Sequence, residues 1–247
     1  MNLPIAMFHH IADNPHPSLK GWTISINQFN IFLDCITERG YETTTFETIN
    51  LMNPNASLNK KIIITFDDCP ASLFDYVVPE LLRRGMKAVF FIPTAQIGGI
   101  NLWDVEEQGF EAVRLMSADQ LKYLSASGME IGSHGDNHKR PEPNQEASKN
   151  ETHQSKAILT ALLGKQITSF SYPYGQIPKH YPALLKSAGY QFAAGIYTPF
   201  QTNLSLRRFG IHESDTKQSM SFKLGHIYRG LRFIGDPLLQ LYNLIRV

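Results

Sequence analysis

Cysteine is nearly absent from this chain of 247 residues, with Cys35 and Cys69 its only two. That number is too small for a disulfide framework, and free thiols are expected. Charge of one sign is equally scarce. A formal net charge of +1 with both signs interspersed argues against a nucleic-acid groove, which would cluster Lys and Arg. Low-complexity tracts and internal repeats are missing, so solenoids and disordered linkers drop out. Near the amino terminus the only apolar run is the short Leu3 to Phe8, with no basic segment ahead of it and no small-residue cleavage site. It reads as a strand and not as a signal peptide, which leads to an expectation of cytoplasmic placement.

With 43% hydrophobic and 18% charged residues, the chain is long enough to bury a sizeable core and is expected to form one enzyme-sized domain over residues 1–247. Apolar runs alternate with amphipathic stretches, the pattern of β/α architecture. Strands are expected over 3–11, Thr43 to Phe46, 61–66, Lys87 to Ile92, 129–133, Ile167 to Tyr172 and Gln191 to Ile196. Helices are expected over Ile26 to Arg39, stopped by Gly40, and over Leu73 to Arg84, stopped by Gly85. Ser117-Ala118-Asp119-Gln120 has the form of a capping box for a helix reaching Ala126. Further helices are expected from about Asn144 to Leu163 and from Tyr181 to Ala188, and Pro93 to Arg114 reads as irregular. Such a series can close as a barrel or stay open as a doubly wound sheet, and the pattern does not choose.

Two segments carry chemistry. Lys61-Ile62-Ile63-Ile64-Thr65-Phe66-Asp67-Asp68 ends a buried strand in two adjacent carboxylates, whose repulsion a bound cation would relieve. Met129 to His138 ends another strand in His134 and His138, at i and i+4. Two neutral imidazoles and one carboxylate leave coordination positions open, the pattern of a catalytic and not a structural metal site. The other carboxylate is then free to act as a base.

Thr65-Phe66-Asp67-Asp68, the His134 and His138 pair, and Phe170-Ser171-Tyr172-Pro173-Tyr174-Gly175 occur in the order of the polysaccharide deacetylase family (NodB homology, carbohydrate esterase family 4), which the chain resembles over most of its length. The likeness includes Ile5 to Ile11, Phe29 to Tyr41 and Leu184 to Tyr190. The resemblance implies a distorted (β/α)7 barrel with its site at the carboxyl ends of the strands. It implies Asp68, His134 and His138 as ligands to one divalent metal, Zn²⁺ first and Co²⁺ or another transition metal next. It also implies Asp67 as general base and the backbone N–H of Tyr174, in a turn set by Pro173 and Gly175, as oxyanion donor. His9 would line the site or be a rim histidine. Trp103 would stack on a sugar or pack its loop. The proton donor is assigned to His212, with His226 behind it, because the family's late Leu-x-His motif is not cleanly present.

The implied activity is removal of the N-acetyl group from an N-acetylated hexosamine in a polysaccharide or glycoconjugate, releasing acetate. The alternatives are hydrolysis of a small non-sugar amide or cyclic imide, and a carbohydrate-binding pseudoenzyme. Three positions depart from the family pattern. Cys69 replaces a glycine and would be strained if the site needs positive φ, and a thiol there could sensitise the site to oxidation. Gly135 replaces a Ser or Thr that braces the histidine loop, leaving Asp136 or Ser133 as substitutes. Ser171 replaces an arginine that orients the base, so Asp67 is expected to lack that partner. Lastly, residues 218–247 form a helical segment with Leu224, Ile227, Tyr228, Leu231, Ile234, Leu238, Leu239, Leu241, Tyr242 and Ile245 interleaved with Lys223, Arg229, Arg232 and Arg246. Asp236-Pro237 and the charges exclude a bilayer span, leaving a helix pair that closes the barrel or a peripheral contact with the inner face of an anionic membrane.

Overall fold

A computed structural model describes residues 1–53, 55–140, 145–198 and 200–245, with the backbone alone for Gln145 and residues 238–245. Ten strands run in chain order: β1 (Ile5–Phe8), β2 (His10–Ile11), β3 (Thr23–Ile24), β4 (Glu42–Thr44), β5 (Lys61–Phe66), β6 (Val89–Ile92), β7 (Glu130–Ser133), β8 (Ser169–Ser171), β9 (Phe192–Ala194) and β10 (Phe209–Gly210). All ladders are parallel, in the order β10-β1-β5-β6-β7-β8-β9, with β4 beside the start of β5. Leu206 bridges to Ala194 of β9 while Phe209 pairs with Ala6 of β1, so residues 206–210 close the curled sheet into a seven-stranded barrel.

The strand period of two sorts the core into two layers. Ile62, Ile64, Phe66, Phe90 and Ile92 face outward and pack with Phe29, Phe32 and Leu33 of helix α1 (Ile26–Glu38). Ile63, Val89, Phe91, Phe192, Ala194 and Leu206 fill the barrel, with Phe46 below them. A Cβ at Gly132 would lie 2.4 Å from the Phe91 ring, so glycine there makes room for the phenyl ring inside the barrel. Continuing the inward register of β5 past Ile63 leads to Thr65 and then Asp67. The same count along β7 passes Gly132 and reaches His134. Barrel geometry thus brings those two side chains to one mouth.

Most expected elements stand where local rules put them. The capping box is complete, with Ser117 Oγ accepting from Gln120 N and Gln120 Oε1 accepting from Ser117 N, and the helix it starts spans Ala118–Ala126. Several expectations are corrected. The strand over 3–11 is two strands with different partners. Thr43 to Phe46 is not all strand, because Thr45 accepts from Thr48 N and caps a helix beginning at Phe46. Pro93 to Arg114 is not irregular, since it contains a helix over Leu102–Gln108 ended by left-handed Gly109. Asn144 lies outside the described residues. From Gln145 the chain is helical to Leu163, with one π turn over Asn150–Gln154. The closing strand β10 escaped sequence reading because two residues carry no period.

At the carboxyl end, helix Lys217–Leu224 packs on α1, and helix His226–Ile245 follows. In the latter, Arg232 turns inward to the carbonyls of Arg208 and Ile196 and pairs with Asp236. Ile227, Leu231 and Ile234 face outward and are exposed. Among the described residues no helix is long and apolar enough to cross a membrane. The side chains of Leu238, Leu239, Leu241, Tyr242 and Ile245, and Arg246 altogether, lie outside the described residues.

Candidate active site

Four residues from the two chemistry-bearing segments meet at the carboxyl ends of β5 and β7. Asp68 Oδ1 stands 3.5 Å from His134 Nε2 and 3.4 Å from His138 Nε2. Asp68, His134 and His138 are the group among the described residues that could hold an ion, and all three are buried. A tetrahedral ion with bonds of about 2.0–2.1 Å separates its ligand atoms by roughly 3.4 Å, which these distances match. Asp68 Oδ1 is buried and has no hydrogen-bond partner. Burial and the adjacent Asp67 push its carboxyl well above the usual carboxylate range, a penalty on the charged form that a bound cation would relieve. Burial also lowers both histidines, so they present neutral imidazoles. His134 Nδ1 lies 2.9 Å from the Ser171 carbonyl and donates to it, which leaves Nε2 free to bind an ion.

The two histidines are not on a helical turn. Gly135 has φ +81° and His138 φ +54°, so a tight loop carries them. Its brace is neither Asp136 nor Ser133 alone. Ser133 Oγ accepts from Gly135 N at 3.2 Å and Thr94 Oγ1 donates to Asp136 Oδ1 at 2.5 Å, while Glu151 from the π turn takes the backbone N–H groups of Asp136 and Asn137.

Asp67 does have an arginine, supplied from the segment that closes the barrel. Arg208 Nη1 donates to Asp67 Oδ1 at 2.6 Å and Nη2 to Oδ2 at 2.7 Å, a bidentate pair sealed from solvent. Ser171, in the place where an arginine was expected, completes the cluster by donating to Asp67 Oδ2 at 3.1 Å and accepting from Arg208 Nη2 at 2.8 Å. Burial opposes ionisation of Asp67, but the Arg208 charge, helped by His134, overrides it and holds the carboxyl well below its usual range. The expectation of an unpartnered base is therefore overturned. The sequence signal was faint: an arginine directly before the apolar Phe209-Gly210-Ile211.

Cys69 adopts φ +56° and Asp68 φ +64°, so the strand tip does need left-handed backbone and the cysteine carries that strain. Its thiol is fully buried, and burial with the two aspartates raises it well above the usual thiol range. It stands outside the ion-holding group. Both cysteines are free.

The cluster floors a cavity of about 220 Å³ whose rim includes exposed Trp22, Gln108, Arg140 and Gln176. His9 and His10 line it, and burial lowers them to about 3 and about 4 respectively, so both are neutral. Tyr174 lines it with φ +57°, its ring edge-on to His138 at 4.8 Å, in the turn of Pro173 and Gly175. Trp103 is buried in its wall, stacked on His138 at 4.4 Å. His212 does not line this cavity. It is exposed in a neighbouring groove beyond His9 and Trp22, and His226 lines a third cavity beside Asn2. The chain leaves β10 after Gly210, which carries His212 away from the mouth.

Residues 55–193 match the sequence profile of the family described as polysaccharide deacetylase. The chain belongs to the polysaccharide deacetylase family. YxkH of Bacillus subtilis (strain 168), named as a polysaccharide deacetylase, is 26% identical over 225 residues, which are 89% of this chain and 73% of that protein. The Streptococcus pyogenes deacetylase PplD, solved in complex with acetate, superposes with TM-score 0.75 at 20% identity over 90% of this chain and 98% of its own. IcaB from Ammonifex degensii follows at TM-score 0.73 and 21% identity, covering 90% and 96%. The family fold, a distorted parallel barrel ringed by helices, is the fold of this deacetylase-family chain. His9 and Arg208 both fall outside the span that the family profile matches.

Proposed function

We propose that this polysaccharide deacetylase family member is a divalent-metal-dependent hydrolase that removes the N-acetyl group of an N-acetylated hexosamine and releases acetate. The observation that carries the reading is the orphaned Asp68 Oδ1 between His134 and His138, directly beside the arginine-clamped Asp67. An ion held by Asp68, His134 and His138, Zn²⁺ or Co²⁺, would supply Lewis acidity toward water and the amide carbonyl.

The chain's own groups do the rest. Asp67, kept ionised by Arg208, accepts the proton of the attacking water as its oxygen bonds to the amide carbon. The Tyr174 N–H, presented by the left-handed turn, donates to the developing oxyanion. As the C–N bond breaks, the leaving nitrogen takes a proton and departs as the amine. His9, neutral at rest, is the cavity imidazole assigned to relay to that nitrogen the proton that Asp67 took from the water, in place of His212. Exposed Trp22 at the rim, with its ring 5.0 Å from His9, offers the open aromatic face for a sugar, since Trp103 is spent on His138.

A closed apolar pocket would favour a small cyclic imide, and this cavity instead has charged and polar groups at an exposed rim. The grounds for a pseudoenzyme weaken as well, because Arg208 replaces the arginine missing at Ser171. The test is acetate release from N-acetylglucosamine oligomers by protein stripped with chelator and reloaded with Zn²⁺, Co²⁺ or nothing. Metal-dependent acetate that Asp67→Asn abolishes while metal binding survives is the expected result. Stoichiometric metal binding without acetate from any oligomer would overturn the substrate class.

A further inference from the structure

The two histidines at the cavity floor are held by different means. His134 is oriented through its own ring, by the bond from Nδ1 to the Ser171 carbonyl. His138 has no such anchor: its Nδ1 is buried without a hydrogen-bond partner. A ligating imidazole whose second nitrogen is unpartnered must be aimed by its backbone and by the rings packed on it. That backbone is unusual, since His138 itself sits at φ +54° and Gly135 at φ +81°.

One side chain holds the loop between them. Glu151 Oε2 accepts from Asp136 N at 2.9 Å and from Asn137 N at 3.0 Å, and Oε1 accepts from Asn137 N and Asn137 Nδ2, each at 3.2 Å. The carboxylate is buried, on the same face of its helical stretch as buried Ser148, Thr152 and Ser155. Its helix widens to a π turn over Asn150–Gln154, a geometry that re-aims side chains relative to a regular helix. A Cβ on Gly135 would lie 2.8 Å from Glu151 Oε2, so the carboxylate occupies the space that a side chain at 135 would need.

We infer that Glu151 is a positioning residue for the metal site: it fixes the backbone N–H groups just ahead of His138 and so aims Nε2 of that histidine at Asp68. The inference rests on the reading that Asp68, His134 and His138 hold a divalent cation. It assigns to a helix outside the ligand loop the task of making His138 a ligand.

The experiment measures Zn²⁺ affinity by competition with a chromophoric chelator for wild type, Glu151→Gln, His138→Ala and the double variant. Glutamine preserves shape but turns an NH₂ toward backbone donors. Glu151→Gln should weaken Zn²⁺ binding about 10–100-fold. In the His138→Ala background the same change should do almost nothing, because the ligand it positions is gone. A general loss of stability would not produce that disappearance. Affinity of Glu151→Gln within twofold of wild type would overturn the inference, as would an equal loss in both backgrounds. If Glu151→Gln does not fold, Gly135→Ala displaces the carboxylate without removing it, and unchanged Zn²⁺ affinity there would overturn the inference instead. A wild-type protein that binds no Zn²⁺ would overturn the metal reading itself, and this inference with it.

Discussion

Replacing Arg208 with methionine removes a cation and leaves Asp67 buried without its partner. The guanidinium makes five hydrogen bonds in the wild type: two to Asp67, and one each to Ser171 Oγ, Thr65 Oγ1 and the Gly195 carbonyl. Breaking a buried ion pair from one side costs about 3–5 kcal/mol, because the remaining charge is stranded. For a domain of this size that is a fall in Tm of about 6–20 °C. The pH dependence should change sign as well. In the wild type the folded Asp67 is more acidic than the unfolded residue, so it adds stability above about pH 4 that is lost as pH falls through the depressed value. Without Arg208, burial and neighbouring Asp68 push Asp67 upward, so stability is lost as pH rises through the raised value. Thermal unfolding of wild type, Arg208→Met, Asp67→Asn and the double variant from pH 4 to 8 measures this. The double variant should recover much of the loss, because no stranded charge remains. An Arg208→Met protein whose Tm stays within about 2 °C of wild type at every pH would refute the reasoning.

Glu130 sits inside the barrel with Ser169 and the Glu47 N–H as partners, and burial pushes it up to about 7. The folded state therefore holds a proton that the unfolded state releases near pH 4.5, and about 3 kcal/mol of stability should disappear as pH rises from 4.5 through 7. Glu130→Gln should flatten that decline in a Tm-versus-pH series, and an unchanged slope would refute the assignment. His9→Ala should lower kcat by about 10²-fold or more while His212→Ala leaves it near wild type; the reverse order would return the proton donor to His212. Ellman's reagent should find no reactive thiol in the native protein and two after denaturation, since Cys35 and Cys69 are both buried. Rapid native labelling that inactivates would restore an oxidation-sensitive site.

Local physics made a large part of this molecule readable from its residues. Helix α1 and the capping box at Ser117 depend on side chains within four positions of one another. The carboxylates at the end of β5 and the histidines after β7 stand out because apolar strands should not end in such groups without a purpose. The family and a candidate ligand set and base were read from them. Tertiary structure alone decided which groups support that set. Arg208 reaches Asp67 across 141 positions, and only closure of the barrel through residues 206–210 puts it there. Glu151 braces the histidine loop from a π turn that no propensity marks. His9 lines the cavity and His212 does not, because β1 ends at the cavity mouth while the chain after β10 turns away from it. The difference is physical: a strand tip is specified by its own few residues, whereas the partners of a buried charge are specified by whatever the closed barrel brings within hydrogen-bond reach.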